Sequence, residues 1–442
     1  MQIVGNGRLF TLDSANPFFA DGAVVVDGTE VKAVGTTADM KKAYPDAEFF
    51  DAQGRVIMPG FINAHTHAYS AYARGCAPSM PQRNFLEVLE NMWWRLDRLL
   101  TLEDVELNAL TTFKESIQYG VTTVIDHHSS PNAASGSLFK MAEAAKKIGI
   151  RASLCYEVSD RDGQDIFAKE VAENVDFMKW ANADSSDMIK GLFGLHASFT
   201  LSQDSLEKCV AAKQGVKGGY HVHVAEGRPD VVDSNARYGK PIVERFADLG
   251  MLGPETIAVH CVHINTREAE QLVLTDTNVV HNPESNMNNA VGLANTADWI
   301  KRGMRLGLGT DAYTPDMLES LKVAAIVPPH ENQDPTLGFM EAGSMLFVNN
   351  AEICSKFFDG GVGKLKPGYH ADLITMDYRP FTPFNGSNLW GHAIFGMHGS
   401  MCVDTMINGE WVYRDRQFTK IDEAELDAHS AERAQKAIWP NM

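Results

Sequence analysis

Long apolar runs are absent from this sequence, and so is any excess of positive charge. No uninterrupted apolar segment approaches the ~18–20 residues that a membrane-spanning helix requires. The segment 1–17 lacks the basic stretch followed by an apolar run that is typical of a signal peptide. Lysine and arginine number 39 against 57 aspartates and glutamates, a formal net charge of −18. This balance argues against a nucleic-acid-binding surface and against binding to anionic membranes.

Paired cysteines are also missing. The six cysteines are scattered along the chain without a Cys-x-x-Cys pair, which argues against a disulfide framework and against a zinc ribbon. We therefore expect reduced, mostly buried thiols in a cytoplasmic protein. No low-complexity segment or short repeat interrupts the chain, so its composition predicts an ordinary globular protein.

The length and the two ends of the chain predict its domains. With 442 residues, the chain exceeds the ~250–300 residues at which one core usually stops growing. Asp27-Gly28 and Asn408-Gly409 each separate two β-prone segments, a pattern typical of β-hairpins. The simplest arrangement is a small β-sandwich, built from both termini, beside a central domain. We expect the sandwich over 1–57 and 366–442, and the central domain over 58–365.

The central domain alternates strand and helix patterns. The helical stretch after Leu100 opens with a Thr101…Asp104 pair that resembles a capping box, and it ends at Gly120. Eight apolar, β-prone runs alternate with such helical segments, which predicts a (β/α)8 TIM barrel. The eight runs are 56–67, 121–128, 151–158, 189–199, 219–226, 257–264, 278–286 and 305–312.

Most of the fifteen histidines fall near the ends of these runs, where barrel enzymes place their catalytic groups. His65 and His67 are one residue apart, so a strand would present both imidazoles on one face. Histidines with core or surface roles would be spread more evenly, and the clustering therefore predicts a metal site. The later runs end in Asp126, His127 and His128; Tyr156 and Glu157; His196; His221, His223 and Glu226; His260 and His263; His281; and Asp311.

Five motifs at these strand ends resemble one family. They are MPGFINAHTH, HVAE, AVHCVHI, HNPESN and LGTDA, in this order along the chain. The sequence is similar to the amidohydrolase superfamily, in its mononuclear deaminase and chlorohydrolase branch. Within this branch, the stretches ENMWWRLDRLLT, VIDHHSSP, CYEVSDRDG and HNPESNMNNAVG look most like the SsnA-type aminohydrolases. The segment GKLKPGYHADLITMD is similar to the one that returns such chains to their β-sandwich.

The resemblance implies one divalent metal ion held by His65, His67, His223 and Asp311. Zinc suits these nitrogen and oxygen donors, and iron(II) is an alternative. Glu226 would be the general acid and base, Asp311 would accept a proton from water, and His260 would hydrogen-bond the attacking water. Glu226 follows His223 by three residues, so it can face the substrate only if the strand ends before it.

Three choices within this set follow from position. His221 and His223 share a strand face, but His223 lies nearer the C-terminal end, so we expect His221 to be a buried, hydrogen-bonded neighbour. His263 falls on the opposite face from His260 and is expected to be structural. Binuclear members of the superfamily bridge their metals with a modified lysine on strand four. Lys190 stands at the wrong end of that run, which favours one metal.

The implied reaction is the hydrolytic deamination of an amino-substituted, purine-like heterocycle with release of ammonia. SsnA-type proteins are linked to purine catabolism. Related ring deaminases often have Trp-Pro-Leu-Glu where this chain has Trp94-Arg95-Leu96-Asp97, which leaves the substrate open. The alternatives are a chlorohydrolase, a ring-opening amidohydrolase and, more distantly, a non-catalytic binding module on the same fold.

Several polar residues near the strand ends are candidates for contact with the substrate. His196 is expected to contact the substrate or the leaving group. Arg95, His128, Tyr156 and Glu157 are further candidates, although surface ion pairing or packing explains each equally well. The role of His127 is left open. A homodimer is suggested by the resemblance alone.

Overall fold

The computed structural model describes residues 1–442 and contains eighteen strands and seventeen helices. None of the helices combines the length and apolar character needed to cross a membrane. In chain order, the strands β1–β18 are Gln2–Phe10, Phe18–Asp27, Glu30–Thr36, Glu48–Asp51, Val56–Pro59, Phe61–Thr66, Val121–His128, Arg151–Tyr156, Ile189–Gly191, Phe193–Ala197, Tyr220–Val224, Ile257–His260, Asn278–His281, Leu306–Leu308, Leu373–Met376, Cys402–Ile407, Glu410–Arg414 and Gln417–Phe418. The helices α1–α17 are Thr37–Ala43, Phe85–Val88, Trp94–Leu99, Leu102–Gln118, Ser137–Ile148, Gln164–Asn182, Gln203–Lys213, Arg228–Tyr238, Ile242–Asp248, Thr266–Leu274, Pro283–Asn288, Thr296–Lys301, Met317–Asn332, Phe339–Ser344, Asn350–Cys354, Leu389–Gly396 and Glu423–Arg433.

A parallel barrel forms the centre of the molecule. Strands β6–β9 form one parallel sheet and β10–β14 form a second, each in chain order. Parallel backbone bridges join the two sheets, one between Val158 and Leu195 and one between Thr66 and Asp311. The fourth run is divided at Leu192, because β9 pairs with β8 whereas β10 pairs with β11. The predicted TIM barrel is confirmed.

The lower part of the barrel is filled with apolar side chains. Ile62, Ile125, Val259 and Val280 are buried together in one cluster. Side chains alternate between the two faces of a strand, so His127, two residues beyond Ile125, also points into the barrel. Because the apolar layer fills the interior below, the polar residues near the strand ends lie at the C-terminal mouth.

The two ends of the chain form one nine-stranded sheet. Its order is β18-β17-β16-β15-β5-β1-β2-β3, with β4 paired to β1. The expected sandwich is thus one continuous sheet, with apolar clusters around Ile3 on one face and Val4 on the other. Asn408 and Gly409 form the predicted tight turn, with φ of 53° and 80°. The first hairpin turns at Gly28 and Thr29, one residue later than expected, because β2 continues through Asp27.

Two local features link the barrel to its surroundings. Helix α4 starts with the predicted capping box, since the Thr101 side chain accepts from the Asp104 N–H and Asp104 accepts from the Thr101 N–H. Gly120 ends the helix with φ of 79°. Arg151 at the start of β8 is paired with Asp372 before β15, and the two side chains are 0% and 2% exposed. This buried ion pair connects the barrel to the terminal sheet.

Candidate metal centre

His65 and His67 stand at the end of β6, and both are buried, at 0% and 6% exposure. Their rings lie 4.7 Å apart, measured between centroids. His223 on β11 joins them, with its ring 5.3 Å from His65 and 5.2 Å from His67. The structure therefore brings these three predicted residues together at the mouth of the barrel.

The backbone is left-handed at three strand ends beside these histidines. Ala225, His260 and Asp311 have φ of 48°, 68° and 57°, a region that residues with a Cβ rarely adopt. At Ala225 the chain turns out of β11, which ends at Val224, and Glu226 faces the cluster. Strain at the ends of three strands of one barrel is typical of a functional site, where the fold holds side chains in set directions.

The tautomers of His67 and His223 follow from their hydrogen bonds. His67 Nδ1–H donates to the carbonyl of His127 at 2.6 Å. His223 Nδ1–H donates to the carbonyl of His196 at 2.9 Å. When each ring is neutral, its free lone pair therefore lies on Nε2. These two Nε2 atoms face each other at 3.2 Å.

Two facing lone pairs in a buried site repel each other unless a positive charge lies between them. Two nitrogens bound to one tetrahedral zinc ion at ordinary bond lengths would be about 3.3 Å apart. The observed 3.2 Å between His67 Nε2 and His223 Nε2 matches that separation. The pair is therefore arranged for a metal ion.

His65 is oriented by a chain of hydrogen bonds. His65 Nδ1 contacts His221 Nε2 at 2.9 Å, and His221 Nδ1 contacts Cys155 Sγ at 3.4 Å. The Cys155 thiol donates to the carbonyl of Asp126 at 3.4 Å. This direction of donation leaves the lone pair of His65 on Nε2, which has no hydrogen-bond partner. A partner that orients a ligating imidazole from behind is a regular feature of metal sites.

The carboxylate of Asp311 lies close to the Nε2 atoms of His65 and His67. Its Oδ1 lies 3.2 Å from His67 Nε2 and 4.0 Å from His65 Nε2. Burial opposes ionisation of Asp311, but the hydrogen bond and charge of His67 hold its pKa below the usual range. Burial likewise opposes the charge on His67, yet Asp311 raises the pKa of His67 to about 9. The site therefore stabilises positive charge, which a metal ion supplies in place of a proton.

The donor set fits a divalent metal ion. The ligand atoms of His65, His67 and Asp311 lie within 4.8 Å of one another, as do those of His65, His223 and His260. Three imidazoles and one carboxylate are donors that zinc accepts. The unpartnered Nε2 of His65 supports the same conclusion, because buried polar atoms normally have partners.

Glu226, His260 and Asp311 form a second group beside the donors. His260 Nε2 lies 3.6 Å from Glu226 Oε2 and 3.6 Å from Asp311 Oδ2. Burial raises the pKa of Glu226, and the nearby charge of Asp311 adds to the shift. A carboxyl whose pKa is raised and a carboxylate whose pKa is lowered can serve as an acid and a base.

Two asparagines that the sequence motifs do not single out contact this group. His260 Nδ1 lies 2.7 Å from Asn286 Oδ1, and Asn289 Nδ2 donates to Glu226 Oε1 at 3.2 Å. Both asparagines follow β13, where the motif HNPESNMNNAVG contains several similar amides. Only the course of α11 decides which of these amides face the site. No sequence signal separates them.

Some of the predicted substrate residues reach the centre and others do not. The His196 ring lies 5.5 Å from His223 and 5.9 Å from Trp94. His128 forms a hydrogen bond with Ser130 Oγ, and the centroids of the His128 and Tyr156 rings are 5.7 Å apart. Alternation explains this placement: Ile125 and Cys155 point into the barrel, so His128 and Tyr156 point away from it.

Arg95 is not at the centre. Its guanidinium donates to Ser79 Oγ at 3.2 Å and to the carbonyl of Asn441 at 3.0 Å. Consecutive helical residues point about 100° apart, so a Trp94 ring that faces His196 directs Arg95 elsewhere. The prediction of a pocket role for Arg95 is wrong for this structure.

The remaining predicted residues have structural contacts. His263 Nε2 donates to the carbonyl of Val291 at 2.7 Å. Lys190 Nζ lies 2.8 Å from Asp187 Oδ1, at the start of the divided strand and away from the donors. His221 supports His65 from below. None of the three donates to the metal position described above.

A cavity of about 340 Å³ borders the centre at His67, the one metal donor among its lining residues. His67 and Thr66 line its inner end, while the ion pair of Arg74 and Glu115 lies at the outer end. Tyr313 lines another wall.

Comparison with known proteins places the chain in a family. The model of the amidohydrolase family matches residues 56–412, and residues 22–47 match an imidazolonepropionase-like composite domain of bacteria. A 5-methylthioadenosine/S-adenosylhomocysteine deaminase of Pelotomaculum thermopropionicum is 29% identical, with 99% of this chain and 98% of that protein covered. A 5'-deoxyadenosine deaminase of Methanosarcina mazei is 30% identical, with 98% and 97% covered.

A solved structure has the same fold as this chain. The crystal structure of an adenosine deaminase from Xanthomonas campestris with bound zinc superposes with a TM-score of 0.87. It shares 23% sequence identity, and the alignment covers 99% of this chain and 98% of that one. The predicted superfamily is confirmed by the family match, which spans all the barrel strands together with β5, β15 and β16 of the terminal sheet. The chain belongs to the amidohydrolase family.

Proposed function

We propose that this protein is a zinc-dependent aminohydrolase that hydrolytically deaminates an amino-substituted purine or purine nucleoside. The observation that carries the proposal is the group of Glu226, His260 and Asp311 beside a set of buried metal donors. The names of the relatives, which are deaminases of adenosine-type nucleosides, support the substrate class. The zinc reported for the similar adenosine deaminase supports the metal.

The metal would be held by His65, His67, His223 and Asp311. A bound zinc ion lowers the pKa of water towards neutrality and polarises the reacting atoms. The chain supplies no thiolate at this point, since Cys155 lies behind His221. Imidazole and carboxylate donors are also compatible with iron(II), so metal analysis distinguishes the two.

The residues around the metal position perform the proton transfers. Asp311, whose pKa is held low, accepts a proton from the attacking water. Glu226, whose pKa is raised by burial, donates its proton to the ring nitrogen next to the reacting carbon. His260 lies between the two carboxyl groups and hydrogen-bonds the oxygen as its charge develops.

Overall, the reaction consumes one water molecule and releases one ammonia molecule. A C–O bond forms at the ring carbon and its C–N bond breaks. The proton held by Asp311 passes to the departing amine, and Glu226 recovers a proton from the new hydroxyl group. The heterocycle leaves with a carbonyl where the amino group stood, and both carboxyl groups return to their starting states.

Aromatic and apolar side chains cover the mouth of the barrel. Phe85 and Leu89 pack against Val262 and Val291. Val262 follows β12, the strand that carries His260, and Val291 lies between β13 and β14. This cover limits the access of bulk water to the reacting atoms, so the charges of the site act in a less polar medium. It also favours a flat heterocycle over a flexible peptide.

A place in purine catabolism and a cytoplasmic location are part of the same proposal. Deamination converts an amino-purine into an oxo-purine, a change that degradation requires. All six cysteines are free in this structure, and five of them are buried. Unpaired thiols of this kind are typical of a reducing compartment.

Ammonia release from a panel of heterocycles tests the proposed function. The panel contains adenosine, 5'-deoxyadenosine, 5-methylthioadenosine, adenine, guanine, a pterin, a pyrimidine and a chlorotriazine. We expect ammonia from one or more of the amino-purines, in amounts equal to the oxo-purine formed. Release of chloride from the triazine without ammonia from any purine would contradict the proposal and favour a chlorohydrolase.

A further inference from the structure

A second pair of potential metal donors, His127 and Glu157, lies beside the centre. His127 Nδ1 is 3.2 Å from Glu157 Oε2, and the two side chains are 0% and 2% exposed. His127 is on β7 and Glu157 directly follows β8, so neighbouring strands hold both. The proposed deamination assigns no role to either side chain.

The hydrogen bonds of His127 leave this pair unsatisfied. His127 Nε2–H donates to the carbonyl of His221 at 3.1 Å, so the neutral ring carries its lone pair on Nδ1. His127 Nδ1 and Glu157 Oε2 are both buried without a hydrogen-bond partner. Two electron-rich atoms thus face each other in a buried position, which requires a proton or another cation between or beside them.

The surrounding atoms extend this pair into a cluster. The ligand atoms of His67, His127, Glu157 and His223 all lie within 4.8 Å of one another. Imidazole nitrogen and carboxylate oxygen are donors that zinc and manganese accept. The cluster shares His67 and His223 with the first donor set, but it contains neither His65 nor Asp311.

We propose that His127 and Glu157 form a second, weaker site for a divalent cation next to the first. The proposal goes beyond the deamination chemistry and rests on the donor geometry alone. Each imidazole lone pair binds one ion, so His67 and His223 serve the first metal once it is bound. Only two protein donors then remain for the second ion, and water completes its coordination. Repulsion between two nearby cations weakens the site further.

Zinc titration of the metal-free protein tests the second site. We expect calorimetry to show two classes of binding, one tight and one weaker, and metal analysis at raised free zinc to approach two ions per chain. Glu157→Gln should abolish the weaker class and preserve the tight one. His127→Gln removes the other donor and should likewise abolish the weaker class and preserve the tight one. Circular dichroism checks that each variant is folded.

Glu170→Gln is the matched control. Glu170 is a buried carboxyl on α6 that accepts from the Ser159 N–H at 3.0 Å, outside the cluster. Burial raises the pKa of Glu170 to about 8, so glutamine resembles its neutral form. This variant should keep both classes of zinc binding.

Three results would overturn the second site. A single class in the unaltered protein at high free zinc would show that a proton alone separates His127 and Glu157. Retention of both classes in Glu157→Gln would place the second ion elsewhere. Loss of the tight class in that variant would make Glu157 part of the first site. None of these outcomes depends on deaminase activity, so they leave the proposed function to its own test.

Discussion

Glu226→Gln is expected to keep its metal and to lower the rate of ammonia release by about 10²–10⁴-fold, the usual contribution of a positioned acid and base. Glutamine keeps the size of the side chain and its contact with Asn289, but it cannot deliver and recover a proton. The measurement is metal analysis and a rate assay on one preparation, with the amino-purine that the unaltered protein deaminates fastest.

The backbone explains why Glu226 is separated from the metal donors. The strand ends at Val224, and Ala225 takes a left-handed conformation with φ of 48°. Glu226 then turns towards His260, whereas His223 points at His67. If the Glu226→Gln variant were found without metal, Glu226 would be a metal ligand. If the variant kept full activity, Glu226 would have no part in the proton transfers. Glu170→Gln, a buried change outside the site, controls for a general loss of packing.

Asp311→Ala is expected to lose both metal and activity. Residues that only orient a ligand change metal affinity by about 10–100-fold when they are mutated, so removal of a ligand should cost more. The alanine also deletes the base that accepts the proton from water. Metal content after dialysis and the rate of ammonia release with added zinc measure the two effects.

His263→Ala is the matched control for Asp311→Ala. His263 also lies near a strand end, but its side chain is bound to the carbonyl of Val291 and belongs to no donor cluster. This variant should keep about one metal ion per chain, as a site with its whole ligand set does. If His263→Ala emptied the site, the assignment of strand faces after β12 would be wrong. If Asp311→Ala kept its metal with unchanged affinity, Asp311 would not be a ligand.

Strand patterns alone predict much of the barrel and which histidines share a face, whereas the donor set is implied by the resemblance to the family. The run 121–128 coincides with β7, because parallel strands buried on both faces are continuous apolar stretches. Alternation places His65 with His67 and His221 with His223 on shared faces. The same alternation, counted outward from Ile125 and Cys155, directs His127 and Glu157 inward.

Other parts of the site have no local signature. Left-handed backbone at Ala225, His260 and Asp311 depends on how the loops pack, since alanine, histidine and aspartate do not require it. The position of Arg95 depends on the rotation of α3 about its axis. Asn286 and Asn289 reach His260 and Glu226 through a short helix whose direction the sequence does not reveal.

The central claim is that one metal ion at the His65, His67, His223 and Asp311 position supports hydrolytic deamination. Titration of the metal-free protein with zinc, while ammonia release from the preferred amino-purine is recorded, tests it most directly. We predict that the rate rises in proportion to the added zinc and levels off at about one equivalent per chain, because the tight site fills first. Full ammonia release from metal-free protein, or no release from any amino-heterocycle after zinc is restored, would contradict it.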